Sequence, residues 1–210
     1  MKPTLLIFAK APRMGVSKTR LAAGIGVARA WRVKRALDAY TCRTARHAAW
    51  KTMLSVAPDR DLKTTFVDAW PDDLPRIPQG KGDLGRRMAA ALRAHCRGSV
   101  AIIGSDLPDL RTGDLRAAFM ALKRHDVVLG PATDGGYWLI GMSARCARRA
   151  RLDPVRWSSA FTLADTLACL PKAWRIGYLR ELEDVDDAGS FQRTARNARA
   201  MSQAATLYCP

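Results

Sequence analysis

The sequence predicts an α/β protein: a single-domain, three-layer αβα sandwich around a mostly parallel sheet. Short apolar runs recur along the chain, segments with helical spacing separate them, and charged residues suited to chemistry stand where the runs end. The 210 residues fit one domain, 1–210, large enough to build a core without disulfides.

The first strand is TLLIFAK (4–10), followed by TMLSVAP (52–58), SVAIIGS (99–105), DVVLGPA (126–132) and YWLIGMS (137–143). Aliphatic and β-branched runs of this length suit strands covered on both faces. Between them, residues 27–48 carry Val33, Leu37 and Tyr40, then Thr44 and Ala48, at helical spacing. A second helix over 82–98 places Leu84, Met88, Ala91 and Leu92 on one face, with Gly98 closing it. A third over 112–125 opens with Thr112 as N-cap and Asp114 in its first turn. A helix is expected from about Ser159, and 188–205 reads as a last amphipathic helix. In such sheets ligands bind outside the carboxyl ends of the strands. Lys10, Asp106 and the stretch after Pro131 fall there, the last two on strands expected to be neighbours.

Composition narrows the function classes. The 35 basic and 19 acidic residues leave a net charge of +16, which attracts anions such as phosphorylated small molecules, lipid headgroups or nucleic acid. The densest basic groups, RVKRALDAYTCRTARH (32–47) and RCARRAR (145–151), read first as solvated helix faces. The five cysteines are scattered without a CxxC pair, so neither a zinc site nor a disulfide framework is suggested, and a reduced, cytoplasmic setting is expected. No segment approaches the roughly 20 apolar residues that span a bilayer. The opening apolar run is too short for a signal peptide.

Five stretches carry chemistry. AKAPRMGVSKTRL (9–21) holds Lys10, Arg13, Lys18 and Arg20 behind the first strand, a set suited to a pyrophosphate or simply to a basic solvated loop. It contains neither GxxxxGK[ST] nor GxGxxG. In GDLGRRM (82–88), Asp83 reads as a helix cap and Gly85 as a point of close approach to a nucleotide. In GSDLPDL (104–110), Asp106 leaves the sheet at its ligand-binding edge, where a carboxylate needs a positive or hydrogen-bonding partner. That partner is a divalent cation such as Mg²⁺ or Mn²⁺, or else the residue caps a turn; Asp109 reads as a turn residue. In GPATDGGYWLIG (130–141), Gly135 and Gly136 let the backbone pass close to a ligand or simply turn a hairpin. Tyr137 reads as a pocket residue there and Trp138 as core, while Trp157 reads as support for the helix that follows it. In ELEDVDDAGSF (181–191), Asp187 can cap the last helix and leave Asp186 free to reach a metal.

FAKAPRMGVSKTRL, GDLGRRM, GSDLPDL, GPATDGGYWLIG and DVDD occur in the order seen in the selenodomain-associated transferase family, which the chain resembles over about residues 4–190. It is similar, more distantly, to the 2-phospholactate and molybdenum-cofactor guanylyltransferases. The resemblance implies a GT-A (nucleotide-diphospho-sugar transferase) fold. It also implies a nucleotide or nucleotide-sugar donor, and Lys10, Lys18 and Arg20 on its phosphates. Asp106 and Asp186 would then hold Mg²⁺ or Mn²⁺. Two departures stand out: DLPD replaces the DxD of many glycosyltransferases, and no GxGTR-type loop opens the chain.

The implied activity is metal-dependent transfer from a nucleotide-activated donor. In glycosyl transfer to a hydroxyl of an unidentified small-molecule acceptor, Asp134 is the candidate base and Lys18 the second candidate catalytic residue. The alternative is nucleotidyl transfer to a phosphorylated acceptor, where cations and a metal suffice. A third class, nucleic-acid binding, suits the charge, but the chain lacks a base-reading motif, and nucleic acid is not the expected partner.

Overall fold

The computed structural model describes residues 1–196. Seven strands form one sheet: β1 (Thr4–Lys10), β2 (Lys51–Ala57), β3 (Arg76–Pro78), β4 (Val100–Ile103), β5 (Val127–Pro131), β6 (Tyr137–Met142) and β7 (Ile176–Tyr178). Their order is β3-β2-β1-β4-β6-β5-β7. All run parallel except β6, which is antiparallel to both β4 and β5. Among the described residues the α-helices are α1 (Thr19–Ile25), α2 (Val27–Thr44), α3 (Leu84–Ala94), α4 (Thr112–Ala121), α5 (Ala144–Ala147) and α6 (Thr162–Cys169), with a last one from 188 onward.

The alternation of side chains along each strand builds two cores, one on each face of the sheet. Leu5, Ile7, Leu54, Val56, Ala101 and Ile103 face α2 and α4, meeting Cys42, Leu115 and Ala118. Leu6, Met53, Val100, Ile102, Ile140 and Met142 face α3 and α5, meeting Met88, Leu92, Cys146 and Ala147. Strands buried on both faces explain why the sequence runs are uniformly apolar. This is the expected three-layer arrangement with a mostly parallel sheet.

Several local expectations are corrected. β4 and β5 are not neighbours, because the chain turns at Asp134–Gly136 and inserts β6 between them. Since β6 begins at the edge where β4 and β5 end, Asp106 and Asp134 still share that edge. The N-cap of α4 is Arg111 rather than Thr112; its backbone N–H donates to Asp114 Oδ2 (2.8 Å), while the Thr112 hydroxyl donates to the Thr44 carbonyl (3.0 Å). α3 stops at Ala94, so Gly98 lies in the turn before β4 rather than at the helix end. α6 begins at Thr162, after Phe161 in the cap position. The last helix is described over 188–196, and the rest of the expected 188–205 segment lies outside the described residues.

On α2 the buried positions are Ala30, Lys34, Leu37, Asp38, Thr41 and Cys42, one step around the helix from the expected Val33–Tyr40 stripe. No described helix is long and apolar enough to cross a membrane.

Candidate active site

β1 delivers the chain to the ligand-binding edge at Lys10, and the loop that follows enters α1 at Lys18. There the backbone takes a left-handed conformation (φ 58°, ψ 43°), a costly one for a residue with a side chain. What that conformation positions is the ammonium. Lys18 Nζ lies 2.9 Å from Asp106 Oδ2 and 2.7 Å from Asp186 Oδ1, and it also donates to the Val185 carbonyl. Its side chain is only 4% exposed. Asp106 follows β4, and its carbonyl accepts the Val185 N–H (3.0 Å), which ties the DVDD segment to the strand end. Ser190 Oγ accepts the N–H groups of Asp186 and Asp187 (3.0 and 3.1 Å). The Asp187 carboxylate caps the following helix by accepting the Ser190 N–H (2.8 Å). Asp186 is thereby turned toward Asp106.

The two outer carboxylate oxygens are also held. Arg20 pairs with Asp186 Oδ2, and Lys34 Nζ lies 3.3 Å from Asp106 Oδ1. Lys34 is buried and also reaches Ser105 Oγ (2.8 Å) and Asp38 Oδ1 (2.6 Å), while Trp70 Nε1 donates to Asp38 Oδ2 (3.1 Å). Burial pushes the Asp106 carboxyl up, yet Lys34 and Lys18 outweigh it and hold the group below its ordinary range. Burial alone would lower Lys34; Asp106 and Asp38 reverse that and raise it. Asp38 is pushed up to about 6 by burial, with Lys34 opposing. Asp184 is also pushed up to about 6, first by burial and then by the carboxylates of Asp186 and Asp134.

Two cavities open on this network and share Phe8, Arg20, Leu84, Asp106, Trp157, Ser158 and Asp186. One, of about 470 Å³, is lined by Lys10, Lys18, Lys34, Gln79 and Arg87. The other, of about 430 Å³, is lined by Asp134, Gly136, Tyr137, Trp138, Asp184 and the 158–160 loop.

The remaining sequence candidates are placed as follows. Lys10 lines the basic cavity. Arg13 turns away to the buried Asp61 (Nε–Oδ2 3.1 Å) and lines neither cavity. Asp83 caps α3, accepting the Arg86 N–H (2.8 Å). Gly85 packs under Trp157: a Cβ there would come within 2.6 Å of the indole and 2.3 Å of the Leu152 carbonyl. Gly135 has φ 84° and is crowded by Ala160, whose carbonyl would meet a Cβ at 2.3 Å, so its immediate neighbour is protein backbone. Asp134 Oδ1 accepts the Gly136 N–H (2.8 Å) across the same hairpin. Tyr137 lines the acidic cavity; its hydroxyl lies 3.5 Å from Thr166 Oγ1, and burial raises its pKa. Trp138 is core, as expected, and its Nε1 donates to the Arg180 carbonyl (3.0 Å). Trp157, expected to support the helix that follows it, packs against the core and over Gly85, and also lines both cavities.

The sequence reading missed Lys34, Asp38 and Ser105, and gave Asp184 no role beyond its place in the acidic 181–191 cluster. A signal for Lys34 exists: with Ala30, Leu37 and Thr41 it lies on one helix face at spacings of four, three and seven.

As a metal site, Asp106 and Asp186 offer two hard oxygen donors facing one position, now taken by the Lys18 ammonium. That set suits Mg²⁺ or Mn²⁺, which accept one or two carboxylates and complete their shell with phosphate oxygens and water. Among the described residues no group of three or more His, Cys, Asp or Glu could hold a metal ion unaided.

The chain superposes on several solved structures. A candidate nucleotide-diphospho-sugar transferase from Desulfovibrio desulfuricans G20 superposes with a TM-score of 0.79 at 29% identity, over 89% of this chain and 84% of that one. A CMP:2-keto-3-deoxy-manno-octonic acid synthetase complexed with CTP has the same fold at 10% identity (TM-score 0.60; 95% and 100% covered). So does Rv0371c from Mycobacterium tuberculosis H37Rv in complex with manganese, at 15% identity (TM-score 0.54; 92% and 98% covered). The chain thus has the nucleotide-diphospho-sugar transferase fold. Residues 40–159 match the family described as uncharacterized protein conserved in bacteria (DUF2064), and the chain belongs to it. No curated protein sequence matches.

Proposed function

We propose that the protein is a metal-dependent transferase that takes a nucleotide-activated donor, and specifically transfers a glycosyl group from a nucleotide-diphospho-sugar. This reading extends the resemblance to selenodomain-associated transferases. One observation carries it: Asp106 and Asp186 converge on a single cationic position in the wall of a basic cavity.

In this reading the basic cavity takes the donor, with Lys10, Lys18 and Arg20 on its diphosphate. Asp106 and Asp186 would hold Mg²⁺ or Mn²⁺, which would supply Lewis-acid stabilisation of the leaving diphosphate. Asp134 keeps Oδ1 on the Gly136 N–H, so Oδ2 accepts the proton of the acceptor hydroxyl. A carbon–oxygen bond forms at the anomeric carbon, the bond to the diphosphate oxygen breaks, and its electron pair leaves with the nucleoside diphosphate.

A second reading, nucleotidyl transfer, is favoured by the crowd of cations in the basic cavity, since a phosphate acceptor needs no base. Product analysis separates the two. Incubation with nucleotide sugars and with nucleoside triphosphates is expected to release a nucleoside diphosphate from the former. Release of pyrophosphate from a triphosphate would assign the second reading instead.

A further inference from the structure

The two cavities share a seam at Asp106 and Asp186, and the charges that each holds alone are of opposite sign. The charged side chains private to one are Lys10, Lys18, Lys34 and Arg87. Those private to the other are Asp134 and Asp184, set among Tyr137 and Trp138 with Trp157 at the shared boundary. Arg20, at the seam, is engaged by Asp186.

An anionic group entering the second cavity meets carboxylates with no private cation to answer them, in a confined space where Coulomb interactions are strengthened. A hydroxyl compound carrying an amine meets two carboxylates and aromatic faces, both of which attract ammonium.

We propose that the acidic, aromatic cavity is the acceptor site, and that it takes an amine-bearing hydroxyl compound and excludes phosphorylated ones. The volume of about 430 Å³ suits a small molecule of sugar or amino-alcohol size. This rests on the donor occupying the basic cavity, as read above. The split of charge is also a specificity device: a phosphorylated molecule is drawn to the donor side and repelled from the acceptor side.

The test is ligand-observed NMR on the full-length protein with Mg²⁺ and inorganic pyrophosphate filling the basic cavity, using glucosamine, glucose and glucose 6-phosphate as probes. Saturation by pyrophosphate, measured first, checks the parent reading separately; its failure would sink that reading and the acceptor assignment with it, whereas saturation followed by the wrong probe preference would sink this one alone. With pyrophosphate in place, glucosamine is expected to bind at least about tenfold more tightly than glucose 6-phosphate, with glucose between them. Asp184→Asn is expected to shrink that ratio severalfold, and Asp134→Asn/Asp184→Asn to abolish it. Tighter binding of glucose 6-phosphate, a ratio unchanged in the double variant, or binding of none of the probes would each overturn the proposal.

Discussion

At Lys18 a strained backbone and a buried ammonium serve the same two carboxylates. All four oxygens of Asp106 and Asp186 have cationic partners: Lys18 between them, Lys34 and Arg20 outside. On the proposed reading, a divalent cation binding alone would have to displace Lys18, whereas a donor diphosphate would give the ammonium somewhere to go. Lys18→Met is expected to tighten Mn²⁺ binding in the absence of nucleotide by about tenfold, read by electron paramagnetic resonance, and to weaken binding of inorganic pyrophosphate. Unchanged Mn²⁺ affinity would remove Lys18 from that role. Lys34 has a different character, since it neutralises the buried Asp38 as well as Asp106. Lys34→Met leaves Asp38 buried without its counter-charge and is expected to cost about 3–5 kcal/mol, read from the denaturant midpoint. A loss within measurement error would show that the pair relaxes to solvent or that Asp38 takes up a proton.

Among the elements, the 153–162 segment is what gives the cavities a wall. Arg156 is clamped to Asp165 on α6 through its backbone N–H, Nε and a terminal nitrogen (3.0, 2.8 and 2.8 Å), and its guanidinium lies 4.1 Å from the Phe161 ring centre. The clamp fixes Trp157 over Gly85 and Ala160 against Gly135. The Arg156 side chain and backbone hold the Asp165 carboxyl down to about 2. A carboxylate depressed by folding stabilises the folded arrangement fully above its ordinary value and loses that contribution as pH falls through the folded one. The protection of residues 157–161, taken relative to the unfolded chain at the same pH, is therefore expected to fall between about pH 4 and pH 2. Asp165→Asn should show the lower protection already at neutral pH, and equal protection in both proteins would dismiss the clamp.

This segment was barely legible in the sequence, because an Arg–Asp pair nine residues apart has no periodic signature. The three-residue β3 and β7 were illegible for the same reason, being set by pairing rather than by pattern. By contrast, the doubly buried β1 and β4 announced themselves as apolar runs. The turn before β6 was visible as Asp-Gly-Gly, but the expectation that β4 and β5 adjoin overlooked the reversal it imposes.

Across the whole molecule, the charge of +16 is divided between a general basic surface and a local reversal of sign. Asp106, Lys18 and Asp186 could be singled out from the sequence because strand ends and acidic clusters are local features. That Lys18 would sit between the two aspartates could not, since the bridge spans separations of 88 and 168 residues. Arg13 looked equivalent to its neighbours in the same loop, yet the fold supplies Asp61 to draw it away.

The measurement that tests the central claim most directly is calorimetric titration of nucleoside diphosphates, triphosphates and nucleotide sugars, with and without Mg²⁺ or Mn²⁺. It would be run on the wild-type protein and on Asp106→Ala/Asp186→Ala. The account predicts metal-dependent binding of one nucleotide, tighter as a diphosphate or its sugar than as a triphosphate, and lost in the variant. Full metal-dependent binding by the variant would contradict it.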